Sequence, residues 1–464
     1  MSKYAIYIFF DDNYLNLANI TLLSFLSNYH QFKFDVYYVK NSLCKLSDKS
    51  LCSFINHIEK YTTNVEQILN LCIPYERLNF YINDSKKWGK KTKGVPISIL
   101  TYEIFSHQFE KYEKLFYLDA DLQFIKPNKD LFLNNTYDIL VYPDIGVNYK
   151  KLKRKGVRKY LKIHDYSDKM DFNAGFIILN CKKIWGKNND NLINELLRFH
   201  KDHIHSVEKL YEQKVLNMFF FKKLCEKLTI KLGTMHDCFL KSVYKVDPNY
   251  GKLDDVRMIH YTGIKPYFQN EPLGKKFWNT FSNMSFDIIK KITNKKIHIF
   301  CRDIPDEILI NENDVVILMN HNINERHKLK GNTTFWFNGL TSDITNIITT
   351  GIDVYCVPNI YNKPHEFKII QNESYLYINY FDLLARKYPD LSSYYTRKEK
   401  NLPTTGVSAV LFSLLLTDRN NIKIYDMTLY NHGKGYKFPH TYELDSSILK
   451  SIGYSYSTQT WTEK

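Results

Sequence analysis

The first sixty residues of the chain alternate between short apolar runs and longer amphipathic segments. The apolar runs at residues 4–10 and 33–39 have the length and composition of β-strands, and the segments 14–28 and 47–60 carry apolar residues at helical spacing. A strand–helix–strand–helix order favours parallel strands, because each helix returns the chain across one face of the sheet. The sequence therefore predicts an α/β fold with a parallel sheet that helices cover on both faces.

The same alternation starts again after a polar, lysine-rich stretch at residues 287–296. Beyond this stretch, the predicted strands lie at residues 297–300, 315–319, 335–337 and 422–425. A helix is predicted between the last two of them, at residues 406–416. The pattern predicts two α/β domains, residues 1–290 and 296–464, and a chain of this length can bury a core in each.

Further helices and strands are predicted between residue 90 and this boundary. The helices lie at residues 96–109, 191–200 and 208–219. The strands lie at residues 114–118, 138–142, 176–179 and 256–261. This order continues the α/β pattern of the N-terminal part.

The composition is that of a folded protein with a strong basic charge. Hydrophobic residues make up 44% of the chain and charged residues 24%, which excludes a disordered chain. The net charge of +15 attracts polyanions, namely nucleic acid, an anionic membrane surface or an acidic glycolipid. The densest basic run, residues 150–162, fits a binding patch, a nuclear signal or a solvated loop. The chain has no helix-turn-helix pattern or aromatic stacking platform, so we expect no nucleic-acid partner.

The cysteines and the N-terminus bear on the cellular compartment. The 8 cysteines include no Cys-X-X-Cys pair, which argues against a zinc ribbon, and most lie in apolar runs typical of buried thiols. The N-terminal apolar run is short and ends in two acids, unlike a signal peptide. No uncharged apolar run reaches the roughly 18 residues of a transmembrane helix. We expect a cytoplasmic protein with peripheral contact at the inner face of the inner membrane.

An Asp-Ala-Asp motif, Asp119 to Asp121, follows the apolar run KLFYL at the carboxyl end of a predicted strand. Open α/β sheets bind ligands at this end of their strands. Side chains two residues apart on an extended chain point the same way, so both carboxylates can reach one divalent cation. Mn²⁺ or Mg²⁺ would neutralise the charge of a diphosphate leaving group. An acidic pair at a cap or on a surface is the alternative.

Three further groups of polar residues lie next to predicted strands. The segment DDNY, residues 11–14, offers carboxylate and amide groups to a nucleoside, or alternatively caps the next helix. The segment NAG, residues 173–175, is predicted as a turn of small residues that lets a sugar approach the backbone. His260 could join the two aspartates around a metal, and Lys265 could hold a phosphate. A single histidine after a strand is more often structural.

The N-terminal part resembles glycosyltransferase family 8 over about residues 3–280. The resemblance rests on six motifs in order: DDNY, PISILTY, FYLDAD, FNAGFIILN, EQKVLN and HYTGIKPY. It implies a glycosyltransferase-A-type mixed sheet, a UDP-sugar donor, Mn²⁺, and transfer with retention of the anomeric configuration. The basic run 150–162 falls where the family carries a loop that covers the acceptor, which suits an acidic glycolipid or oligosaccharide acceptor.

The resemblance also implies which residues form the site. The implied metal ligands are Asp119, Asp121 and His260. The residues implied to contact the uridine are Asp11, Asn13 and Tyr14. The residues implied to face the donor sugar are Asn173, Ala174 and Gly175, with Gln213 near the reacting carbon. The residues implied to hold the diphosphate are Gly263 and Lys265.

Two positions depart from the family pattern. Family members often carry an arginine after the PIS-like segment that contacts the donor, and the matching position here is Ile104. One of the lysines at residues 90–93 could supply the missing charge. The pair before KVLN is Glu212-Gln213, where Asp-Gln is usual, and the longer glutamate would shift the contacts to the donor sugar.

The C-terminal part resembles the bacterial family 42 sialyltransferases over about residues 296–450, which implies a second, smaller Rossmann-like α/β domain. The residues implied to contact the donor CMP-sialic acid are Asn320, Thr405 and Gly406, with Tyr430 and Tyr436 on its phosphate and His440 as general base. The segment Thr404 to Gly406 is predicted as a turn that presents hydroxyls and backbone N–H groups to a phosphate, and a plain helix start explains it equally well. The family's glycine-rich turn after the first strand is replaced by FCRDIP, residues 300–305.

We therefore predict a bifunctional glycosyltransferase. The first domain would transfer a hexose, with galactose expected, from a UDP donor, and the second would add sialic acid during synthesis of lipo-oligosaccharide or capsule. One alternative is a single-activity UDP-hexosyltransferase whose C-terminal domain only binds the acceptor. Another is a carbohydrate-binding protein that consumes no UDP-sugar, and a third is a basic protein that binds nucleic acid.

Overall fold

The computed structural model describes residues 2–88, 96–144, 172–187, 191–207, 211–233, 239–240, 256–262, 272–293, 295–329, 331–339, 352–358, 375–389, 403–427, 442–455 and 457–462. The chain divides into two compact units, Met1–Lys265 and Pro266–Lys464. Each unit contains a central β-sheet.

A seven-stranded mixed sheet forms the centre of the N-terminal unit. Its strands are β1 (Tyr4–Ile8), β2 (Phe34–Tyr38), β3 (Val65–Asn70), β4 (Lys114–Leu118), β6 (Ile139–Pro143), β7 (Phe172–Asn180) and β8 (Ile230–Leu232). A second sheet contains β5 (Leu122–Phe124), β9 (Phe239–Leu240) and β10 (Met258–His260). The order in the large sheet is β3-β2-β1-β4-β7-β6-β8. Strands β1 to β4 are parallel, whereas β7 runs antiparallel between β4 and β6.

Helices connect most of these strands. The α-helices of this unit are α1 (Leu15–Asn28), α2 (Asp48–Tyr61), α3 (Tyr75–Trp88), α4 (Asp130–Leu133), α5 (Cys181–Trp185), α6 (Leu192–His203) and α7 (Tyr211–Lys222). The segment Pro96–Phe105, which falls within a predicted helix, is a 3-10 helix. The mixed α/β fold with a glycosyltransferase-A-like sheet is thus confirmed.

Strand β7 differs from the prediction at its start. The strand begins at Phe172, so Asn173, Ala174 and Gly175 belong to it, and the predicted turn at these residues is wrong. The small polar residues disfavour a strand locally, but Asn173 pairs with Tyr142 of β6 across a register shift, and β4 pairs with the strand from Phe176 onwards. For example, the N–H of Asp119 donates to the carbonyl of Gly175 at 2.8 Å. Tertiary pairing therefore overrides the local preference.

A six-stranded parallel sheet forms the centre of the C-terminal unit. Its strands are β11 (Ile297–Phe300), β12 (Val315–Met319), β13 (Thr333–Phe337), β14 (Val354–Val357), β15 (Leu376–Asn379) and β16 (Ile422–Tyr425), and a hairpin adds β17 (Tyr454–Ser455) and β18 (Thr460–Trp461). The α-helices are α8 (Pro272–Ile292), α9 (Tyr380–Lys387), α10 (Thr405–Leu414) and α11 (Tyr442–Ser451). The order of the large sheet is β15-β14-β13-β12-β11-β16. The direction of winding therefore reverses at β11, with β16 on its other side.

Helix α8 belongs to the C-terminal unit. The hydroxyl of Ser282 accepts from the backbone N–H of Asn379 at 2.9 Å, and the rings of Trp278 and Tyr377 lie 4.8 Å apart between centroids. The sequence places the domain boundary at the end of this helix, because its terminal lysines interrupt the apolar pattern. The structure divides the chain before the helix, since its apolar face packs on β15.

The described cysteines are free, and their exposure is mixed. Those that are buried are Cys44, Cys181 and Cys356, and those that are exposed are Cys52, Cys72 and Cys225, with Cys301 intermediate. The expectation of mostly buried thiols is therefore wrong for three of them; Cys52, for instance, lies on the solvent side of α2. Within the described ranges, no helix combines the length and the apolar character needed to cross a membrane.

We expect His57→Leu to make the folded protein less sensitive to acid. His57 is buried on α2, and burial lowers the pKa of its imidazole from 6.5 to about 3. The folded state holds this ring neutral, so its stabilising contribution is complete above pH 6.5 and is lost as the pH falls towards 3. Between pH 7 and pH 5 this one group should lower the free energy of unfolding by about 2 kcal/mol. Urea unfolding at both pH values measures the difference.

The exposed His30 provides the control for this measurement. His30→Leu replaces an imidazole that lies in solvent, so it should leave the pH dependence of unfolding as in the wild type. An unchanged pH dependence in His57→Leu would show that the buried ring takes up its proton as easily in the folded state as in the unfolded state.

Candidate active site

Three side chains that can ligate a metal meet at the carboxyl end of β4. Asp119 follows β4, Asp121 precedes β5, and His260 ends β10. Nε2 of His260 lies 3.0 Å from Oδ1 of Asp121 and 3.5 Å from Oδ2 of Asp119. One ligand atom from each residue lies within 4.8 Å of the other two. The structure thus brings the three predicted metal ligands together.

The antiparallel pairing of β5 with β10 produces this arrangement. His260 pairs with Leu122, and the N–H of Tyr261 donates to the carbonyl of Asp121 at 2.9 Å. The hydroxyl of Thr21 on α1 accepts from the N–H of Leu122 at 3.0 Å and lies 2.8 Å from its carbonyl. The backbone beside Asp121 is therefore held both by β10 and by α1.

Gly175 provides the space that the imidazole and a carboxylate occupy. A Cβ atom at this position would lie 2.1 Å from Cε1 of His260 and 2.8 Å from Oδ2 of Asp119. Both distances are shorter than any ordinary contact, so a residue with a side chain cannot occupy this position unless the two groups move. Here glycine is needed for close approach within a strand.

The residues present fit a divalent cation. Two carboxylates and an imidazole suit Mn²⁺ well, since carboxylates bind hard cations and the imidazole favours Mn²⁺ over Mg²⁺. The side chains of Asp121 and His260 are only 10% and 4% exposed, whereas that of Asp119 is 35% exposed. A cation held here would be enclosed on one side and open on the Asp119 side, where further ligands could approach.

The predicted donor-facing residues of β7 contact helix α7. The N–H of Ala174 donates to Oε1 of Gln213 at 3.2 Å, and Nε2 of Gln213 donates to the carboxylate of Asp144 at 2.7 Å. Oδ1 of Asn173 accepts from the N–H of Gly175 at 2.8 Å. Gln213 therefore joins β7 to the residue that follows β6. Asp144 could not be selected from the sequence, because no motif surrounds it.

Glu212 has a partner that sequence reasoning missed. The hydroxyl of Ser98 donates to Oε2 of Glu212 at 2.5 Å. Burial raises the pKa of this carboxyl to about 7, and the negative charge of Asp119 adds to the rise. Ser98 lies in the PISILTY motif, which was the only signal in the sequence that could have pointed to it.

The segment 11–14 lies at the same edge of the sheet. Ile8 of β1 pairs in parallel with Leu118, the last residue of β4, so the two strands end side by side. The carboxylate of Asp11 accepts from the N–H of Asn13 at 3.0 Å and caps a turn of 3-10 helix. The tyrosine of this segment is 37% exposed, so a planar ligand could stack on the accessible part of its ring. The segment thus caps its own 3-10 turn, whereas the predicted cap of the next helix is wrong, since Tyr14 precedes α1 without a side-chain cap hydrogen bond. The nucleoside contact stays a prediction.

Several predicted residues lie outside the described ranges. They are the predicted phosphate ligands Gly263 and Lys265, the lysines at residues 90–93 and the basic run 150–162. Ile104, the position matched to the family arginine, is completely buried. Its side chain belongs to the hydrophobic core and supplies no polar contact.

A sequence model of glycosyl transferase family 8 matches residues 5–271, which is more than half of the chain. The chain belongs to glycosyltransferase family 8. It is therefore a glycosyltransferase, and the match includes the three side chains that could ligate a metal, β7 and α7. Among curated protein sequences, none matches this family 8 chain.

Solved glycosyltransferase structures resemble this family 8 member at low sequence identity. The galactosyltransferase LgtC, in complex with donor and acceptor sugar analogues, is 15% identical, with a TM-score of 0.43 over 60% of this chain and 94% of that chain. GlyE of Streptococcus pneumoniae TIGR4 is 13% identical, with a TM-score of 0.42 over 81% and 91%. The bifunctional glycosyltransferase WbbM is 16% identical, with a TM-score of 0.39 over 60% and 52%.

The family 8 match ends before the six-stranded sheet of the C-terminal unit, whose carboxyl end carries its own group of polar residues. Asn320 follows β12 in a left-handed conformation with φ of 47°, and its Oδ1 accepts from the N–H of Gly339 at 3.0 Å. A Cβ atom on Gly339 would lie 2.3 Å from Oγ1 of Thr405, the first residue of α10. The structure therefore brings Asn320 and Thr405 together around a glycine that no motif in the sequence indicates.

The helix start beside this group is closely packed. A Cβ atom on Gly406 would lie 3.2 Å from Cε of Met427 and 3.7 Å from Sγ of Cys301. Thr404 caps the helix, since its hydroxyl accepts from the N–H of Val407 at 3.4 Å. The predicted residues Tyr430, Tyr436 and His440 lie outside the described part of this unit.

Proposed function

We propose that the N-terminal unit transfers a hexose from a UDP-sugar to an oligosaccharide or glycolipid acceptor, with Mn²⁺ and with retention of the anomeric configuration. Galactose is the proposed hexose. The observation that supports this most directly is the meeting of Asp119, Asp121 and His260 at the carboxyl end of β4. An open sheet binds its ligand at this edge, and the donor set suits a cation that accompanies a diphosphate.

The residues of the chain would hold and orient the donor. When bound, Mn²⁺ supplies positive charge that neutralises the leaving diphosphate. Asp119 would present its partly exposed carboxylate to the open side of the group. Asn173 and Ala174 would face the donor sugar, while Gly175 leaves the room that the imidazole of His260 occupies. Gln213, which hydrogen bonds with Ala174 and Asp144, would orient the sugar beside β7. The exposed ring at residue 14 would stack on the uracil.

A donor panel tests this function. The purified protein is incubated with UDP-galactose, UDP-glucose or UDP-N-acetylglucosamine and a lactose-type acceptor, with Mn²⁺ or with EDTA. We expect UDP release and a product heavier by one hexose, both dependent on the metal. No binding and no turnover of any UDP-sugar would overturn the proposal. Glycan binding without consumption of UDP-sugar would favour a carbohydrate-binding protein instead.

For the C-terminal unit we propose a second nucleotide-sugar site that takes CMP-sialic acid. The observation that favours it is the convergence of Asn320 and Thr405 around Gly339, at the carboxyl edge of a parallel sheet. This edge, beside the strand at which the winding reverses, is the usual ligand site of open sheets. Two such sites in one chain would keep the first product close to the second site. Synthesis of an acidic surface glycan at the inner membrane face would suit the net charge of +15.

Asn320→Asp should weaken the binding of CMP-sialic acid. The aspartate tolerates the left-handed backbone and can still accept from Gly339, but it places a negative charge beside the donor phosphate. Thr405→Val removes one hydroxyl at the same place. We expect each change to weaken binding by about 10-fold, through charge repulsion in Asn320→Asp and through the loss of one charge-assisted hydrogen bond in Thr405→Val. Calorimetry with CMP-sialic acid measures it.

Thr417→Val is the matched control, because Thr417 lies just beyond the other end of α10. It should bind CMP-sialic acid as the wild type does. If the wild type neither binds nor hydrolyses CMP-sialic acid while it turns over UDP-hexose, the single-activity alternative holds, and the C-terminal unit binds only acceptor.

A further inference from the structure

The carboxylate of Asp119 is held by a tyrosine of the same strand. The hydroxyl of Tyr117 donates to Oδ1 of Asp119 at 2.5 Å. The two side chains lie two residues apart at the end of β4, where side chains of an extended chain share a face. Tyr117 is only 1% exposed, so water does not compete for this hydrogen bond.

The two oxygens of Asp119 therefore have different surroundings. Oδ1 accepts from Tyr117, whereas Oδ2 lies 3.5 Å from Nε2 of His260. The hydrogen bond from Tyr117 holds Asp119 in the rotamer that places Oδ2 towards His260. An aspartate able to rotate would lose side-chain entropy on binding a cation, and a held aspartate has lost it already.

The tyrosine is in turn supported by the 3-10 helix Pro96–Phe105. The hydroxyl of Thr101 lies 3.1 Å from that of Tyr117 and 2.8 Å from the carbonyl of Ser98. Because the proton of Tyr117 points to Asp119, the proton of Thr101 serves either the tyrosine oxygen or this carbonyl. Ser98 also donates to Glu212, so the same short helix supports both carboxylates.

We propose that Tyr117, supported by Thr101, is a positioning residue that orients Asp119 for the metal. The inference rests on the proposed function, since it concerns the same metal centre. Residues that hydrogen bond to a metal-ligating side chain commonly fix its orientation, and their loss weakens metal binding by about 10- to 100-fold. Tyr117 would act only through Asp119, without touching donor or cation.

The neighbouring strand offers a matched tyrosine. Tyr7 of β1 pairs with Tyr117 in register and is completely buried. Its hydroxyl donates to the backbone carbonyl of Leu100 at 2.9 Å, on the same 3-10 helix. Tyr7→Phe and Tyr117→Phe therefore each remove one buried hydroxyl from adjacent positions of the same sheet, and only Tyr117→Phe removes a bond to Asp119.

The test is the binding of Mn²⁺ to the full chain, measured by calorimetry without any donor. Tyr117→Phe should raise the Mn²⁺ dissociation constant by about 10-fold or more, whereas Tyr7→Phe should change it by less than about 2-fold. Both variants should lower the unfolding midpoint similarly, since each loses one buried hydrogen bond. A Mn²⁺ affinity in folded Tyr117→Phe equal to that of Tyr7→Phe would overturn the inference.

Thr101→Val keeps the test decisive if Tyr117→Phe does not fold. Valine matches threonine in shape and removes only the hydroxyl behind the tyrosine, so we expect the Mn²⁺ dissociation constant to rise by about 3-fold. No change in this variant would also overturn the inference. If the wild type does not bind Mn²⁺, the proposed metal centre itself is wrong. If the wild type binds Mn²⁺ and the variants bind it equally well, only the role of Tyr117 is wrong.

Discussion

Asp121→Asn should abolish the metal-dependent release of UDP while the protein remains folded. The carboxylate of Asp121 lies 3.0 Å from Nε2 of His260 and is largely shielded from solvent. The amide keeps its size and its capacity to hydrogen bond with the imidazole, but it removes the charge that a hard cation requires. We expect turnover to fall by at least about 100-fold, because replacing even a residue that only hydrogen bonds to a metal ligand lowers metal affinity or activity by about 10- to 100-fold. UDP release with Mn²⁺ or with EDTA measures this effect.

Asp138→Asn is a suitable control for the loss of a buried carboxylate. Asp138 is buried and pairs with Lys187 at 2.8 Å, in contact with neither Asp119 nor His260 among the described contacts. Its substitution should lower stability and leave the stimulation of UDP release by Mn²⁺ unchanged. If Asp121→Asn retained that stimulation, the group of three side chains would not be the metal centre.

Gly175→Ala should remove metal binding although it adds only one methyl group. The new Cβ would lie 2.1 Å from the imidazole of His260 and 2.8 Å from a carboxylate oxygen of Asp119. The backbone of Gly175 cannot retreat easily, since its carbonyl accepts from Asp119 within the sheet. The imidazole must therefore move. We expect Mn²⁺ affinity to fall by at least about 100-fold and the free energy of unfolding to fall by about 1–3 kcal/mol.

Gly331→Ala separates this effect from the general cost of replacing a glycine. Gly331 has φ of 73° and no atom within 4 Å of the Cβ position, so alanine there meets backbone strain but no clash. It should destabilise by about 1 kcal/mol and leave Mn²⁺ binding unchanged. Wild-type Mn²⁺ affinity in Gly175→Ala would mean that the close contact with the imidazole is relieved without cost, and that glycine is not needed there.

The group of Asp119, Asp121 and His260 could be predicted because its members carry local signals. Asp119 and Asp121 follow a mostly apolar strand at a spacing of two, and His260 follows another short apolar run. The carboxyl ends of strands gather at one edge of a sheet, so residues in these positions meet whatever the details of packing. The resemblance to a known family then connected the histidine with the two aspartates.

The supporting residues could not be predicted in the same way. The roles of Ser98 and Thr101 depend on a 3-10 helix whose hydroxyls reach strands and helices distant in sequence, and no periodicity encodes such contacts. The start of β7 was missed because Asn173 to Gly175 have low strand propensity and belong to the strand only through the pairing of Asn173 with β6 and the hydrogen bond from the N–H of Asp119 to the carbonyl of Gly175. Strand β3 was missed because it is a half-exposed edge strand without a clear alternation.

In the C-terminal unit, the sequence predicted the strands β11, β12, β13 and β16 and the helix that opens at Thr405. Strands β14 and β15 were not predicted, since each is a four-residue run that is buried throughout and shows no alternation of polar and apolar residues. Gly339 was overlooked for a different reason. A glycine after a strand is common, and only the close approach of Thr405 shows why this one is needed.

The hydrogen bond between His260 and Asp121 joins residues that are 139 positions apart in the chain. During synthesis, the aspartates leave the ribosome long before the histidine, so a growing chain carries two of the three ligands without the third. A cation would bind tightly only after the last strand of this group has docked, and its binding free energy then adds to the stability of the finished unit alone. An unfinished chain would thus be unable to consume UDP-sugar, and added Mn²⁺ should protect complete molecules from proteolysis far more than truncated ones.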